Sequence, residues 1–331
     1  MKSEWKDKIF NINEQDREKT VLEVFRFQYQ HTAVYRDYVN ALGIRPADVD
    51  RISRIPFLPI RFFKSHEIKA GDFEPELLFE SSGTTSAASS RHLVKSAALY
   101  EESFTRGFER SYGPAENWCI IGLLPSYLER QHSSLVYMVN ELIRQSNHPD
   151  SGFYLYEYER LSAVLHRLEE SGRQTLLIGV TFGLLDFAEM TGLPALKHTV
   201  IMETGGMKGR RREMVREEVH DILSSAFHVP AIHSEYGMTE LLSQAYSQGK
   251  GIFECPPWME IRLRDEADPL SVSAPLDTPF TGAVNIIDLA NIYSCSFIAT
   301  DDAARLYPDG SFEILGRLDN SDIRGCSLLA V

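Results

Sequence analysis

Short apolar runs alternate with helix-like segments through the middle of this 331-residue chain. Four segments have the composition of a buried strand that ends in a turn: WCIIGLLP, TLLIGV, HTVIMETGG and VPAIHSEYG. Helix-like patterns separate them: QHSSLVYMVNELIRQS, LLDFAEM and RRREMVREEVHDILSSAF. This order of strand, loop and helix predicts an α/β domain with a largely parallel central sheet. Such sheets bind ligands at the carboxyl ends of their strands, so we expect site residues just after these runs.

The regions on either side of this predicted α/β segment have different sequence patterns. In VLEVFRFQYQHTAVYRDYVNALG, a helix that stops at Gly43 is predicted with five residues near one face: Val21, Phe25, Gln28, Tyr29 and Thr32. Pro56 and Pro59 predict an irregular run before ELLFE forms a short strand. From about Glu254 shorter apolar runs are broken by Pro, Asp and Gly, which favours an antiparallel or barrel-like lobe. The predicted domains are an α/β core with its N-terminal helical segment (1–253), a β-rich lobe (254–316) and a hinge with a short tail (317–331).

The amino-acid composition excludes several classes of protein and several kinds of binding site. The formal net charge of −13 argues against nucleic acid as a partner, so any phosphate site must be local. The charged N-terminus has no apolar signal core and no segment reaches membrane-spanning length, so we expect a cytoplasmic protein. The cysteines are too widely separated for a disulfide framework or a Cys-x-x-Cys metal site, and reduced thiols are expected at Cys119, Cys255, Cys295 and Cys326.

The segment FESSGTTSAASSRH concentrates hydroxyl side chains around Gly83. Backbone N–H groups at a glycine approach an anion closely, and Ser or Thr hydroxyls donate further hydrogen bonds. The segment lacks the second glycine and the lysine of the GxxxxGK[ST] P-loop, so that class of ATPase is excluded. Composition alone leaves two alternatives open, an anion-binding loop and an ordinary surface loop.

Four further stretches occur in a fixed order after this loop: METGG with MKGRRR, SEYGMTE (234–240), FIATDDAARLYPDGSFEILGR (297–317) and LDNSDIRG (318–325). With the hydroxyl-rich loop they resemble the adenylate-forming superfamily, whose members couple carboxylates to ATP as acyl-adenylates. The resemblance implies the large N-terminal domain of that family, with central mostly parallel sheets, flanking helices and a smaller β lobe. Because the sequence ends six residues after Gly325, the family's C-terminal domain is expected to be reduced to a short tail.

The resemblance implies a role for each motif, with ATP and Mg²⁺ as cofactors. The phosphate loop corresponds to Ser81, Ser82, Gly83, Thr84, Thr85 and Ser86. The adenine wall corresponds to Gly205, Gly206 and Met207, together with Tyr236 and Gly237. Thr239 is implied as the α-phosphate ligand, Glu240 as the Mg²⁺ ligand, Asp302 as the ribose ligand, and Arg317 closes the same motif. Taken one at a time, these residues have ordinary structural explanations. A tyrosine more often belongs to the core, a glutamate is usually solvated, and Asp302 beside Asp301 fits a turn. The shared order of the motifs favours nucleotide binding.

In that family a lysine on the C-terminal domain usually assists catalysis. The nearest motif-linked cations that could replace it are Arg91, Lys95, Lys208 and Arg210. Ordinary helix-surface charges are the alternative for several of them. The sequence does not decide among these cations.

The C-terminal tail indicates a particular subfamily within this superfamily. RLDNSDIRGCSLLAV, with Cys326 five residues from its end, and LLPSYLERQHSSLVYMV are similar to the LuxE-like acyl-protein synthetase subunit of bacterial bioluminescence fatty acid reductases. This resemblance implies that Cys326 carries a fatty acyl thioester and passes it to a LuxC-like acyl-CoA reductase partner. The alternative for Cys326 is an incidental terminal thiol. The wall of the acyl pocket is predicted after Pro125, with Tyr127, Leu135, Tyr137 and Met138, although half of these side chains could be ordinary core.

Two rival functions remain open at this point. The motifs also resemble, more distantly, those of phenylacetate–CoA ligases, which implies an acyl-CoA or arylacetyl-CoA ligase. A nucleotide-binding partner protein that has lost catalysis is the third reading, because the lysine-bearing domain is missing. The sequence leaves the chain length of the acid and the oligomeric state undetermined.

Overall fold

A computed structural model describes residues 2–81, 89–124, 132–190, 195–206, 214–265 and 268–318, with side chains from residue 5 onward. These residues form two compact units that are discontinuous in sequence. The first comprises the described residues of Met1–Phe104, Met238–Gln244 and Glu254–Arg324. The second comprises those of Thr105–Gly237 and Ala245–Phe253.

The described helices are α1 Lys2–Phe10, α2 Glu14–His31, α3 Ala33–Ala41, α4 Phe62–Ser65, α5 Ala97–Tyr112, α6 Ser134–Ser146, α7 Tyr158–Ser171, α8 Thr181–Ala188 and α9 Arg216–Phe227. The strands are β1 Leu58–Pro59, β2 Leu77–Glu80, β3 Arg91–Val94, β4 Cys119–Leu123, β5 Gly152–Phe153, β6 Thr175–Gly179, β7 Thr199–Glu203, β8 His233–Tyr236, β9 Ala245–Ser247, β10 Ile252–Phe253, β11 Met259–Arg264, β12 Val272–Ser273, β13 Phe280–Asp288, β14 Phe297–Leu306 and β15 Phe312–Arg317. Short 3₁₀ turns occur at Pro46–Asp48, Ile52–Arg54, Ala115–Asn117 and Leu289–Asn291.

The second unit contains the predicted parallel sheet, in the order β5-β4-β6-β7-β8-β9. Its first five strands are parallel, and β9 pairs antiparallel with β8. All residues of β4 and β6 are buried, which fits strands covered by helices on both faces. Apolar side chains of α7, α8 and α9, among them Leu161, Leu184 and Leu223, belong to the same core as β4 and β6. The sequence-based prediction of an α/β fold is therefore confirmed.

The first unit contains an antiparallel sheet in the order β15-β14-β13-β11-β12, and β1 pairs parallel with β14. Burial alternates along β11 and β14, as expected of strands with one face on a core. The antiparallel lobe predicted from about Glu254 is thus present. This sheet places the β14 residues Asp301 and Asp302 beside the end of β15.

The N-terminal segment is grouped with this β lobe, whereas the predicted division assigned it to the α/β core. Its buried Gln28 explains the grouping. The Gln28 amide donates to the Asn291 carbonyl at 3.0 Å and to Ser296 Oγ at 3.1 Å, and it accepts from the Ser296 amide at 2.9 Å. A buried amide needs such partners, and the turn before β14 supplies them.

The predicted N-terminal helix is two helices, α2 and α3, which end and begin on either side of Thr32. Thr32 has extended backbone (φ −102°, ψ 99°), and its hydroxyl donates to the Ser294 carbonyl at 3.2 Å. The predicted stop at Gly43 is present, with a left-handed φ of 69°. Four of the five residues on the predicted face are buried, and Tyr29 is half-buried. Among the described residues, no helix combines the length and the apolar character needed to cross a membrane.

Candidate functional site

The structure brings part of the SEYGMTE motif together with residues distant in sequence. We name this set the Glu240 cluster: Ser90, His92, Thr239, Glu240 and Asn291. All five belong to the first unit. Ser90, His92 and Asn291 are buried, and Glu240 is only 6% exposed.

The Glu240 carboxyl group is buried beside a hydroxyl and within the field of two cations. Burial raises its pKa, while a hydrogen bond from Ser90 and the charges of Arg317 and Lys64 act in the opposite direction. The binding of a cation beside a buried carboxylate strongly stabilises its charged form. Among the described residues no group of three or more His, Cys, Asp and Glu side chains could hold a metal ion by itself.

The backbone next to Glu240 is held at several points. His92 Nδ1 donates to the Thr239 carbonyl at 2.8 Å, and Asn291 Nδ2 donates to the Glu240 carbonyl at 2.7 Å. The amides of Leu242 and Ser243 donate to the buried Asp288 carboxylate at 2.8 and 3.1 Å. These contacts fix the direction in which the Thr239 and Glu240 side chains leave the chain.

The two ends of the hydroxyl-rich loop, Ser81 and Ser90, meet where this loop joins β2 and β3. The Ser81 amide donates to the Ser90 carbonyl at 3.0 Å, and the Ser90 amide donates to Ser81 Oγ at 2.9 Å. Ser82, Gly83, Thr84, Thr85 and Ser86 lie outside the described residues. Ser90 lowers the pKa of the Glu240 carboxyl group, so one end of this loop lies near the predicted Mg²⁺ ligand.

Asp302 lies on β14 directly opposite Arg317 on β15. The Asp302 side chain is buried, and its Oδ1 is 3.6 Å from Arg317 Nε. Neighbouring Asp301 has its Oδ1 3.6 Å from a guanidinium nitrogen of Arg61, and its carbonyl accepts from the Leu318 amide at 2.6 Å. The register of the two strands therefore pairs the predicted ribose ligand with the arginine that closes its motif.

The cations proposed from sequence have different surroundings. The Lys95 ammonium lies over the Tyr293 ring, 4.3 Å from its centroid, and 5.3 Å from that of Phe73. Arg91 is exposed on β3, while Lys208 and Arg210 lie outside the described residues. Lys64 and Arg317, rather than Lys95, act electrostatically on Glu240.

In the second unit, a buried Glu203 organises the predicted adenine wall. Its Oε2 accepts from the Gly205 amide at 2.7 Å and from Thr181 Oγ1 at 3.1 Å, and its Oε1 lies 3.6 Å from His220 Nε2. Burial alone would raise the pKa of Glu203, but hydrogen bonds with His220 and Ser234 and the nearby Arg216 lower it to about 2. Glu203 is therefore ionised at neutral pH and holds the turn at the end of β7.

The turn after β7 requires glycine at two positions, because its backbone there is left-handed. Gly205 and Gly206 have φ values of +74° and +94°, which side chains rarely adopt. Met207 lies outside the described residues. Tyr236 ends β8 half-buried, with its ring centroid 5.9 Å from that of Phe253, and Gly237 follows it.

Comparison with known proteins identifies the family. The family model for "Acyl-protein synthetase, LuxE" matches residues 4–330. The chain belongs to this LuxE acyl-protein synthetase family. The synthetase is 23% identical over 347 residues to the long-chain-fatty-acid–luciferin-component ligase of Aliivibrio fischeri, a match that covers 96% of this chain and 89% of that protein. Membership makes this protein a ligase that activates an acid.

Solved structures identify the fold. ATP-bound MatB from Rhodopseudomonas palustris matches with a TM-score of 0.54 and 16% identity, covering 74% of the synthetase and 49% of MatB. The ATP-bound RpMatB-BxBclM chimera B3 matches with a TM-score of 0.53 and 15% identity, covering 75% and 49% of the two chains. The synthetase thus has the fold of the adenylate-forming enzymes and spans about half the length of these two chains.

The cysteines of the synthetase differ in their surroundings. Cys119 and Cys295 are fully buried, and burial raises their thiol pKa values to about 11 and about 12. Cys255 is partly buried, and burial raises its pKa further. All three thiols are free, as expected, and Cys326 lies outside the described residues. High thiol pKa values disfavour the nucleophilic thiolate at these three positions.

The predicted acyl-pocket residues of the synthetase divide between core and partly open positions. Met138 on α6 is buried, whereas Leu135 and Tyr137 are half-buried. Tyr127 lies outside the described residues. The acyl wall therefore stays a prediction for Leu135 and Tyr137, whereas Met138 is a core residue.

Sequence reasoning missed Ser90, His92, Asn291 and Glu203. Ser90 and His92 belong to the hydroxyl-rich segment and Glu203 belongs to METGG, so the sequence shows the motifs that contain them but not their hydrogen-bond partners. Asn291 has no local signal, because its contact with Glu240 spans 51 residues.

Glu235 of the synthetase supplies a test of the electrostatics around Glu203. Burial, and then the negative charge of Glu203, raise the pKa of Glu235 to about 8. When a carboxyl group has a higher pKa in the folded protein than in the unfolded chain, the folded protein loses stability as the pH rises from the lower pKa to the higher one. We expect Glu235→Gln to raise the free energy of unfolding by about 2 kcal/mol at pH 8, discounted for partial exposure, and by much less at pH 5.

Urea unfolding at both pH values measures this difference. The matched control is Glu217→Gln, because Glu217 is exposed in the first turn of α9. It should lower the free energy of unfolding by a similar small amount at both pH values, because it removes a charge that favours the start of the helix. An equal gain at pH 5 and pH 8 for Glu235→Gln would contradict the assignment of a raised pKa.

Proposed function

We propose that the synthetase activates a fatty acid with ATP and Mg²⁺ to an acyl-AMP, transfers the acyl group to Cys326, and delivers it to an acyl reductase partner. The observation that carries this proposal is the Glu240 cluster, in which Ser90 and Glu240 are buried and Thr239 is half-buried, with Asp302 paired to Arg317 in the same unit. The printed name of the Aliivibrio fischeri relative supports a long-chain fatty acid as substrate.

Each residue has a chemical reason for its proposed role. The Thr239 and Ser90 hydroxyls are donors suited to phosphate oxygens, and the Asp302 carboxylate is an acceptor suited to ribose hydroxyls. Tyr236 and the Gly205–Gly206 turn remain the predicted adenine contacts, through the ring face and through close backbone approach. Two anions react in adenylation, so these donors must stabilise negative charge as the carboxylate attacks the α-phosphate.

The residues present fit Mg²⁺ as a cofactor that comes with the nucleotide. Mg²⁺ prefers oxygen ligands and is usually held by one or two carboxylates plus substrate phosphates. Glu240 offers one buried carboxyl group, and the described residues contain no cluster that would hold a resident metal. Bound there, Mg²⁺ would neutralise charge on the phosphates.

The transfer step uses the thiolate of Cys326. The sulfur attacks the acyl carbonyl carbon of acyl-AMP, a carbon–sulfur bond forms, and the bond to the phosphate oxygen breaks with its electron pair leaving on AMP. The thiol proton passes to solvent. Arg324, two residues before Cys326, favours the thiolate form. A hydride-donating reductase then removes the acyl group, a role that the family resemblance implies for a LuxC-like partner.

Acid-dependent exchange of pyrophosphate into ATP tests this proposal. With Mg²⁺, ATP and a series of saturated fatty acids, we expect exchange that depends on the acid and is lost with EDTA. With radiolabelled fatty acid, the protein should gain a label that neutral hydroxylamine removes. Nucleotide binding without exchange for any acid, or stoichiometric consumption of free coenzyme A instead of protein labelling, would overturn the proposal in favour of one of its two rivals.

A further inference from the structure

The strand β14 is irregular at the point where it carries Asp302. The pairing of β14 with β13 changes register there, and the pairs on either side of the change are Ala283 with Ala303 and Asn285 with Ala299. One residue of β13, Val284, therefore lies opposite the three β14 residues 300–302. A bulge of this kind redirects the side chains of its strand and is common next to active sites.

The bulge also marks a change of neighbour on the other side of β14. Before the bulge, β1 pairs parallel with Ile298 and Ala299. From Asp302 onward, β15 pairs antiparallel with β14, and Arg317 is the residue opposite Asp302. The bulge thus separates the part of β14 that pairs with β1 from the part that presents Asp302 to β15.

The Arg264 guanidinium reaches this bulge from β11, the strand on the other side of β13. Its Nη1 donates to the Val284 carbonyl at 2.5 Å and to Asn285 Oδ1 at 2.9 Å, and its Nη2 donates to the Thr300 carbonyl at 2.6 Å. Val284, Asn285 and Thr300 are fully buried. A bulge disrupts the regular ladder, and here the two nitrogens of one planar fork join carbonyls of both strands.

Thr300 extends these contacts to Asp302. The Thr300 hydroxyl donates to the Val284 carbonyl at 3.2 Å and accepts from the Asp302 amide at 3.2 Å. Arg264 is therefore connected to the backbone of Asp302 through one buried residue. Because buried hydrogen bonds are costly to leave unmade, these contacts hold the bulge in one shape and fix the direction in which the Asp302 side chain leaves β14.

We propose that Arg264 and Thr300 are positioning residues for the nucleotide. They hold the bulge of β14 in the shape that directs the Asp302 carboxylate toward the ribose hydroxyls, and neither of them touches the nucleotide. This role rests on the proposed function, because it requires Asp302 to be the ribose ligand. Recognition of the ribose, rather than of the phosphates or of the acid, then depends on the bulge.

The affinities of the full chain for ATP and for 2′,3′-dideoxy-ATP, measured with Mg²⁺ and without acid, test this role. The unmodified protein should bind ATP about ten-fold more tightly, because the analogue lacks the hydroxyls that donate to a charged acceptor. Arg264→Lys keeps the charge but offers its donors from a single nitrogen. It should reduce the preference for ATP to about two-fold and leave the affinity for the analogue unchanged.

A second variant and a control accompany this measurement. Thr300→Val keeps the size of the side chain and removes the hydroxyl that bonds Asp302, so it should also reduce the preference for ATP, and it serves alone if Arg264→Lys does not fold. The matched control is Arg305→Lys, because Arg305 lies on β14 beyond the bulge and pairs with Glu313 at 3.2 Å. This control should keep the full preference.

A double variant separates positioning from general stabilisation. In the presence of Asp302→Ala, Arg264→Lys should lower the affinity for ATP no further, because both changes remove the same contact. An unchanged preference in both Arg264→Lys and Thr300→Val, or an equal loss of affinity for both nucleotides, would overturn the positioning role. Failure of the unmodified protein to bind ATP would overturn the proposed function, and equal binding of ATP and the analogue by that protein would overturn the ribose role of Asp302; either result would remove this proposal as well.

Discussion

Replacement of Cys326 by serine is expected to abolish the hydroxylamine-labile acyl label on the protein while leaving acid-dependent pyrophosphate exchange within about two-fold of its original rate. Exchange reports formation of acyl-AMP, which needs no thiol. The label reports the thioester, which only a cysteine can form. The two assays therefore separate the two proposed half-reactions.

The other cysteines provide the controls for this result. Cys119 and Cys295 are fully buried with raised pKa values, so they are poor nucleophiles. Cys255 is the least buried of the three described cysteines, and Cys255→Ser is the matched variant that should keep the label. Persistence of a hydroxylamine-labile label in Cys326→Ser, or its loss in Cys255→Ser, would contradict the carrier role of Cys326.

Replacement of Glu240 by glutamine is expected to lower acid-dependent exchange by about 100-fold or more, because it removes a charge proposed to face Mg²⁺ and the developing transition state. The side chain keeps its size. Because burial raises the pKa of Glu240, loss of the charge also removes an unfavourable burial, and the melting temperature should not fall. The measurement is the exchange rate as a function of Mg²⁺ concentration, together with thermal unfolding.

The control for this variant is a carboxylate of the same unit with no role in the cluster. Glu74 is exposed, so Glu74→Gln makes the same chemical change with no expected effect on exchange. A Glu240→Gln protein that folds normally and exchanges at the original rate would refute the role of Glu240. A fall in melting temperature parallel to the loss of exchange would point to a structural role instead.

Much of the fold follows from local signals in the sequence. The strands β4, β6, β7 and β8 occur within the segments where continuous apolar runs predict them, and α6, α8 and α9 follow the helix-like patterns. Gly43 ends α3 as predicted. These signals are local, because periodicity and turn chemistry depend on residues only a few positions apart. The exception is Thr32, whose contact with Ser294 interrupts a pattern that would otherwise continue as one helix.

The candidate site is less evident from sequence. The motif order predicted Thr239, Glu240 and Asp302, and the register of β14 and β15 places Arg317 opposite Asp302. Lys95 illustrates what motif proximity cannot decide: it follows the hydroxyl-rich run closely, yet its ammonium lies over the rings of Tyr293 and Phe73. The distance of a residue from a motif in the sequence does not predict the direction in which its long side chain points.

The sequence by itself determined the α/β class, the strand ends where the site residues stand, and the order of motifs that marks an adenylate-forming enzyme. Only the tertiary structure showed that His92, 147 positions before Thr239, holds its carbonyl, and that the N-terminal segment belongs with the β lobe. The physical reason is the range of the interactions. Strand and turn preferences arise between near neighbours, whereas hydrogen bonds that satisfy buried polar groups join residues that only folding brings together.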